Sequence, residues 1–522
     1  MNKSSNESYR FSIITAVYNS EPYLEEAIES ILCQDIGFEN FVELILIDDG
    51  STDGSGAICD AYMKKFPCNI KVIHQKNGGA SAARNAGIPL ATGKYVNFMD
   101  SDDKLSNNTL SEVYRYFSRV DQEVDFVSVP IYFFEKKEIP HRLNYKYDSR
   151  YNLIIDLWKQ YSYVQMHASS AFFKREVLTP NFFDTSLRYA EDAKAIMELL
   201  LKKARYGIVP GGRYFYRFRN SMDSALNESK QHREWYLDCL KNYILWTAEA
   251  AEKELGVIPR FVQYTMMYDL QSRFRMEEFP ENVLTPEEKK EFWNLLKQAL
   301  SYIDDSVILE QKNLSKEQKD FIISMKKNPG SGIFEYFNED ARIRYGDTVT
   351  FSLSSYVLKL QAVDFCDEKI VFHGSAKLNC KFPEPSEIYA RLSSGDKTEI
   401  IACSIQKNPE KVFSSMSTKL AQFIDFEFSV LRRSIKGSSK LEFCMTCDSH
   451  TIRFRNLTTD QNFPVPDGQN QIYLPQQHLI LKKSQQNLIL EQVGLKKHLK
   501  MQCCHYRKKI RESLLPTGRS TR

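Results

Sequence analysis

Asp100-Ser101-Asp102-Asp103 follows directly on the apolar run Tyr95-Val-Asn-Phe-Met99. A short buried strand there would deliver carboxylates to its C-terminal edge, where open α/β sheets bind ligands. Carboxylates one residue apart suit a hard cation that a substrate's phosphates also hold, the usual setting for Mg2+ or Mn2+. Alone, Asp-x-Asp is as well explained as loop residues ahead of a helix near Asn108–Phe117. A second acidic pair, Glu191-Asp192, opens a run in which Ala193, Ile196, Met197 and Leu200 recur at helical spacing. A carboxylate at a helix start is stabilised as the anion by the helix dipole, which suits a base at neutral pH. An ordinary N-terminal acidic pair would look the same.

Such residues need elements to position them. Phe11-Ser-Ile-Ile-Thr-Ala-Val17 reads as a buried strand, followed by Tyr18-Asn19 and a helix from Pro22 to about Cys33. Glu43-Leu-Ile-Leu-Ile47 is a second strand, after which Asp48-Asp49-Gly50-Ser51-Thr52-Asp53 turns the chain and caps a helix. Ile70–His74 is a third strand, and Asn77-Gly78-Gly79 turns it into a helix over Ala80–Leu90. The strand ending at Asp100 is the fourth. This alternation predicts a mostly parallel sheet covered by helices.

Four segments together resemble a known family. Thr15-Ala-Val-Tyr-Asn19, Ile47-Asp-Asp-Gly-Ser-Thr-Asp53, Asn77-Gly-Gly-Ala-Ser-Ala-Ala-Arg-Asn-Ala-Gly87 and Asp100-Ser-Asp-Asp103 look like the family 2 glycosyltransferases, which have the GT-A fold. The resemblance covers roughly residues 9–225. It implies a nucleotide-sugar lying across the strand ends. Tyr18 would border the base, Asp49 would accept a hydrogen bond from uracil or ribose, and Asn77 and Arg84 would contact the nucleotide and diphosphate. Asp100 would face the ribose, and Asp102 would ligate the Mn2+ or Mg2+ on the diphosphate. Ala16 stands where the family often has Pro or Thr, so contact there should come from backbone. In the family's Glu-Asp element the Asp deprotonates the acceptor hydroxyl, which implies Asp192 as base and Glu191 as a neighbour shaping the acceptor site. His167-Ala-Ser-Ser-Ala-Phe-Phe-Lys-Arg175 also fits the pattern, with His167 expected to be structural or to border the acceptor pocket rather than catalytic. Gly211-Gly-Arg-Tyr-Phe-Tyr-Arg-Phe-Arg-Asn-Ser221 resembles the segment that folds over the diphosphate. Arg217 and Arg219 share strand parity, making them candidates for phosphate contact.

At 522 residues the chain exceeds one core. The expected divisions are a GT-A catalytic domain at 1–229, a helical module at 230–330, an antiparallel β-sandwich-like domain at 340–462, and a linker with a basic amphipathic tail at 463–522. The helical module rests on the face Leu237, Leu240, Ile244, Thr247 and Ala251. The sandwich rests on period-two alternation at Val349, Phe351, Leu353, at Ile388, Ala390, Leu392 and at Ile424, Phe426, Phe428. Cys444 and Cys447 are three apart in such a strand and would point to opposite faces, a poor zinc pair. From Leu481 to Arg522 eleven Lys or Arg face only Glu491 and Glu512, interleaved with Leu488, Val493, Leu495, Leu499 and Ile510. That segment suits an anionic membrane surface, and a solvated tail explains it equally well.

A formal net charge of +3 gives no reason to expect nucleic-acid binding. Eleven scattered Cys, no secretory signal at the start and no apolar run of roughly 18–20 residues predict a cytoplasmic protein, peripheral at the inner face of the membrane if the tail binds there. The expected activity is inverting, metal-dependent transfer from a nucleotide-sugar, UDP-linked, to a cell-envelope polysaccharide or teichoic acid hydroxyl. Accessory domains in similar family members suggest the polymeric acceptor and leave a homo-oligomer open. A nucleotidyltransferase would want a Gly-rich, Lys- or Arg-bearing phosphate loop after the first strand, and Thr15–Pro22 offers none. A non-catalytic polymer-binding scaffold would have no need of intact Asp49, Asp100, Asp102 and Asp192.

Overall fold

A computed structural model describes residues 9–120, 122–136, 138–148, 153–218, 228–328, 330–381, 385, 387–461, 463–465, 471–474, 479–484 and 486–494. The chain forms two compact units, Met1–Leu270 with Pro280–Ile308, and Gln271–Phe279 with Leu309–Arg522.

The first unit is built on β1 (Phe11–Val17), α1 (Glu21–Leu32), the short α2 (Phe38–Phe41), β2 (Val42–Asp48), α3 (Ser55–Lys65), β3 (Ile70–His74), α4 (Ala80–Gly87) and β4 (Tyr95–Phe98). There follow β5 (Lys104–Leu105), α5 (Thr109–Val120), β6 (Phe126–Ser128), β7 (Ile131–Glu135), β8 (Ile139–Pro140), β9 (Ile154–Asp156), β10 (Ala171–Lys174), α6 (Glu191–Lys202), β11 (Arg205–Ile208) and β12 (Tyr214–Phe218). The main sheet runs β3-β2-β1-β4-β10-β6-β11-β9. β1 pairs in parallel with both β2 and β4, and β2 with β3; β10 is antiparallel to β4 and β6. Strands covered on both faces are largely apolar. Accordingly, every residue of β2 is buried, and Phe11, Ile13, Ile14 and Val17 of β1 are fully so. Each such side chain contributes on the order of 1.5–3 kcal/mol by leaving water. A smaller sheet, β5-β12-β7-β8, lies beyond β4 in the chain and carries Arg217. The helix expected over Ala80–Leu90 is α at Ala80–Gly87 and finishes as a 3-10 turn at Ile88–Leu90, where Pro89 lacks a backbone donor.

Helices occupy Arg233–Tyr236, Trp246–Leu255, Arg260–Phe274, Pro286–Ser301, Asp305–Glu310 and Lys316–Lys327, with a π-helical stretch at Leu240–Leu245. Leu237, Leu240, Ile244, Thr247 and Ala251 are all fully buried, as their spacing predicts. The bounds of the two compact units fall within this helical stretch. Thr285 and Ser315 open two of them with capping boxes to Glu288 and Gln318.

In the second unit, strands form a three-stranded, a five-stranded and a seven-stranded sheet. Phe426 and Phe428 on Thr418–Leu431 of the five-stranded sheet meet Phe443 on Ser438–Cys447 of the seven-stranded one, at centroid distances of 6.5 and 5.5 Å. Two sheets joined by facing aromatics make a sandwich. Cys444 lies in the second of those strands, where Arg391 Nε and Nη2 donate to its Sγ at 3.1 and 2.9 Å.

The start of the expected basic tail is corrected. Leu479–Lys483 and Leu488–Gln492 pair as antiparallel strands of the seven-stranded sheet, with Leu481, Leu488 and Leu490 fully buried and Val493 nearly so. Leu488 and Val493 therefore belong to a core rather than to a membrane-facing stripe. Leu495, Leu499, Ile510 and the rest of the tail lie outside the described residues. Among the described residues no helix is long and apolar enough to cross a membrane.

Candidate active site

The ends of β1, β2 and β4 and the starts of α4 and α6 carry the expected residues. After β2, the Asp49 carboxylate accepts hydrogen bonds from Gly78 N at 2.9 Å, Gly79 N at 2.8 Å and Gln75 Nε2 at 2.7 Å. It thereby ties the turn that starts α4 to the turn that follows β2. Gly79 has φ +87° and Gly50 φ +75°, and a Cβ on Gly50 would come within 2.9 Å of Asn77 N, so both turns require glycine. Asn77 itself is exposed and Tyr18 is 51% exposed, both open to a ligand. Asn19 adopts φ +47° and accepts from Thr52 N at 2.8 Å, joining the β1 end to the same turn.

Arg84 leaves the middle of α4 with its side chain only 8% exposed. Its Nη2 donates to Asp100 at 2.8 Å, and its Nη1 to Glu191 at 3.0 Å and Asp192 at 3.1 Å. The structure thus gathers three of the predicted residues around the guanidinium of a fourth. Glu191 and Asp192 occupy the first turn of α6, entered through Ala190 at φ +67°, a left-handed conformation rare for a residue with a Cβ. The other oxygen of Asp192 accepts from Ala168 N at 2.9 Å. Burial pushes the Asp192 carboxyl up to about 7; Arg84 opposes that shift, while the charges of Glu191 and Asp100 reinforce it. A base that changes state near neutrality is well matched to taking a hydroxyl proton.

At the end of β4, Ser101 Oγ lies 2.6 Å from Ser20 Oγ. Asp103 is buried and accepts from Tyr214 Oη at 2.7 Å and Arg217 N at 2.7 Å. Burial, with Asp102 and Asp100 nearby, drives its carboxyl well above the ordinary range. Asp103 is therefore a peg that fixes this turn against β12.

Arg217 lies on β12, facing the turn that carries Asp102. Its side chain, 8% exposed, donates from Nε to the Asp102 backbone carbonyl at 2.7 Å, from Nη1 to Glu135 at 2.8 Å, and from Nη2 to Glu26. Each of its three side-chain nitrogens is engaged within the protein, and through Nε it braces the backbone of Asp102. β12 pairs in parallel with β7, which brings Arg217 opposite Phe134 and next to Glu135, a contact parity alone does not reveal. Arg219 lies outside the described residues. His167 lies beside His141. Burial lowers its imidazole to about 4 and that of His141, 5.2 Å away ring to ring, to about 3, so both are neutral. Sequence reasoning missed Ala168, Glu26 and Glu135, whose parts depend on contacts between distant segments; Asp103 was visible but offered no sign of burial.

Comparison with known proteins places the chain in a family. The profile of the family described as glycosyl transferase family 2 matches residues 12–180, which includes Arg84, Asp100 and Asp102 and stops short of Asp192. The chain is 32% identical over 444 residues to the minor teichoic acid biosynthesis protein GgaB of Bacillus subtilis, an alignment covering 84% of this chain and 48% of GgaB. It therefore spans about half the length of that relative. To GgaA of the same organism, another minor teichoic acid biosynthesis protein, it is 34% identical over 322 residues, covering 61% of this chain and 72% of GgaA. Its fold is similar to that of S. aureus TarS, with TM-score 0.56 at 17% identity over 93% of this chain and 86% of TarS. The chain, with a GT-A sheet and these relatives, belongs to the family 2 glycosyltransferases.

Proposed function

We propose that this protein transfers a sugar from a UDP-linked donor to a hydroxyl of a teichoic-acid-type polymer, with inversion at the anomeric carbon. The observation that carries this is the placement of Asp192: one oxygen held by Arg84 and the other by the Ala168 N–H, next to the Asp100–Asp102 edge. The polymeric acceptor is supported by the names of GgaB and GgaA.

Asp192 would take the proton from the acceptor hydroxyl as its oxygen attacks the anomeric carbon. The new C–O bond forms as the bond to the diphosphate breaks, and that electron pair leaves with UDP. One base and one displacement give inversion. Glu191 and Arg84 would hold Asp192 in orientation, while Tyr18, Asn77 and the Asp49-bound turn would border the nucleotide.

Among the described residues no group of three His, Cys, Asp or Glu is placed to hold a metal ion alone. Asp102 offers a hard oxygen donor on a backbone pinned by Arg217, which fits a Mg2+ or Mn2+ ion that takes its remaining ligands from the diphosphate and water. Such an ion, when bound, would offset the charge growing on the leaving diphosphate. UDP release across a panel of UDP-sugars, with Mg2+ or Mn2+ and purified wall teichoic acid, tests the proposal. Acceptor-dependent release from one donor supports it; absence of release from every donor contradicts it. The proposal extends to peripheral attachment at an anionic membrane through the basic residues of 495–522 and to self-association, each a separate measurement.

A further inference from the structure

Lys146 is 2% exposed, in the 3-10 turn Arg142–Tyr147. Among the described residues it has no carboxylate partner; its Nζ donates to Val164 O at 2.9 Å and to Gln165 Oε1. Burying an ammonium without a counter-charge is costly, and burial lowers its pKa to about 7. The cost has a structural return one step away. Gln165, itself buried, donates through Nε2 to the carbonyl of His167 at 2.8 Å, and Ser170 Oγ donates to the same carbonyl at 3.3 Å. That carbonyl belongs to the peptide unit whose other end is the Ala168 N–H. A trans peptide is planar, so fixing its C=O fixes the direction of its N–H. The N–H points at Asp192 Oδ2.

We infer that Lys146 is a positioning residue for Asp192, acting through Gln165 and the His167–Ala168 peptide, a reading that rests on Asp192 being the base. Held at one oxygen by Ala168 and at the other by Arg84, Asp192 keeps a defined orientation. Without the Ala168 contact it turns both oxygens toward the guanidinium, away from an acceptor. The groups facing Asp192 are Arg84 from α4, Glu191 from its own helix and Asp100 after β4. Those facing Lys146 are His141, His167 and the rings of Tyr147 and Tyr206, each centroid 5.4 Å from Nζ.

The test uses the full chain with Lys146→Met, which fills the space without the donor, and Gln165→Leu, which breaks the relay while leaving the lysine. UDP affinity with Mg2+ and turnover at saturating UDP-sugar are measured for both, along with the acid limb of the pH–rate profile. Both variants should keep UDP affinity within about twofold and lose at least about tenfold in kcat, with the acid limb displaced upward because Asp192 loses a hydrogen bond to its anion. Wild-type kcat in the two variants, or UDP affinity falling in parallel with kcat, overturns the inference. If Asp192→Asn itself retains turnover, the base assignment fails and this inference with it. If Asp192→Asn is inactive while Lys146→Met and Gln165→Leu turn over normally, only the relay fails.

Discussion

Arg84 and Arg217 are equally buried, each 8% exposed at the side chain, and each reaches three acceptors. Their surroundings differ. Among the described residues the hydrogen bonds of Arg84 all go to the carboxylates of Asp100, Glu191 and Asp192, and its charge opposes the burial that raises the Asp192 carboxyl. Arg217 is bound by Glu26 and Glu135, which are 46% and 29% exposed, and by a backbone carbonyl, so it fixes a shape. One arginine tunes and the other braces. The number of hydrogen bonds does not tell the two roles apart; the identity of the acceptors does.

Removing the tuning arginine should have the larger effect. Arg84→Met leaves three carboxylates around an uncompensated space and should cost about 3–5 kcal/mol of stability, read as a fall in unfolding midpoint. Its acid limb should move above the wild-type position, since the one charge that lowers the Asp192 pKa is gone. An unmoved pH profile in a folded Arg84→Met would break the contrast.

Arg217→Met should be milder, about 1–2 kcal/mol, because Glu26 and Glu135 reach water when released. It should weaken Mg2+-dependent UDP binding, through a loosened Asp102, with the acid limb unmoved. A displaced limb would mean that the two arginines do the same work.

The contrast also has a sign in stability. The Asp192 carboxyl in the fold titrates near 7, above the ordinary 3.8, so the fold favours its protonated form. Its stabilising contribution is full below the ordinary value and is lost as pH rises toward 7. Asp192→Asn, which cannot ionise, should gain in unfolding midpoint relative to wild type between pH 5 and pH 8. A constant difference across that range would show that the carboxyl is not held neutral.

The smallest effect is expected at the tail. Removing 495–522 should reduce sedimentation with anionic vesicles at low salt and leave UDP-sugar turnover within about twofold. The cut falls after Leu488–Gln492, because that strand belongs to the sheet.

Much of the catalytic unit is legible in its sequence because doubly covered parallel strands read as largely apolar runs, as in Phe11–Val17 and Val42–Asp48, with Ser12, Thr15, Glu43 and Asp48 as the polar exceptions. Asp100, Asp102 and Asp192 follow from strand ends and a helix start, local features with local signals. Arg217 and Lys146 do not. Their partners Glu26 and Gln165 lie far away in sequence or in another loop, and no periodicity links them. The strand Leu488–Gln492 was hidden by the opposite problem, since five residues beside Lys482 and Lys483 fit an amphipathic helix or a short strand equally well.

Asp192→Asn is the most direct test of the central claim, with UDP release and UDP affinity measured on the same preparation. The variant should lose turnover by at least about a thousandfold while its UDP affinity with Mg2+ stays within about twofold. Wild-type turnover in this variant would show that another group takes the acceptor's proton.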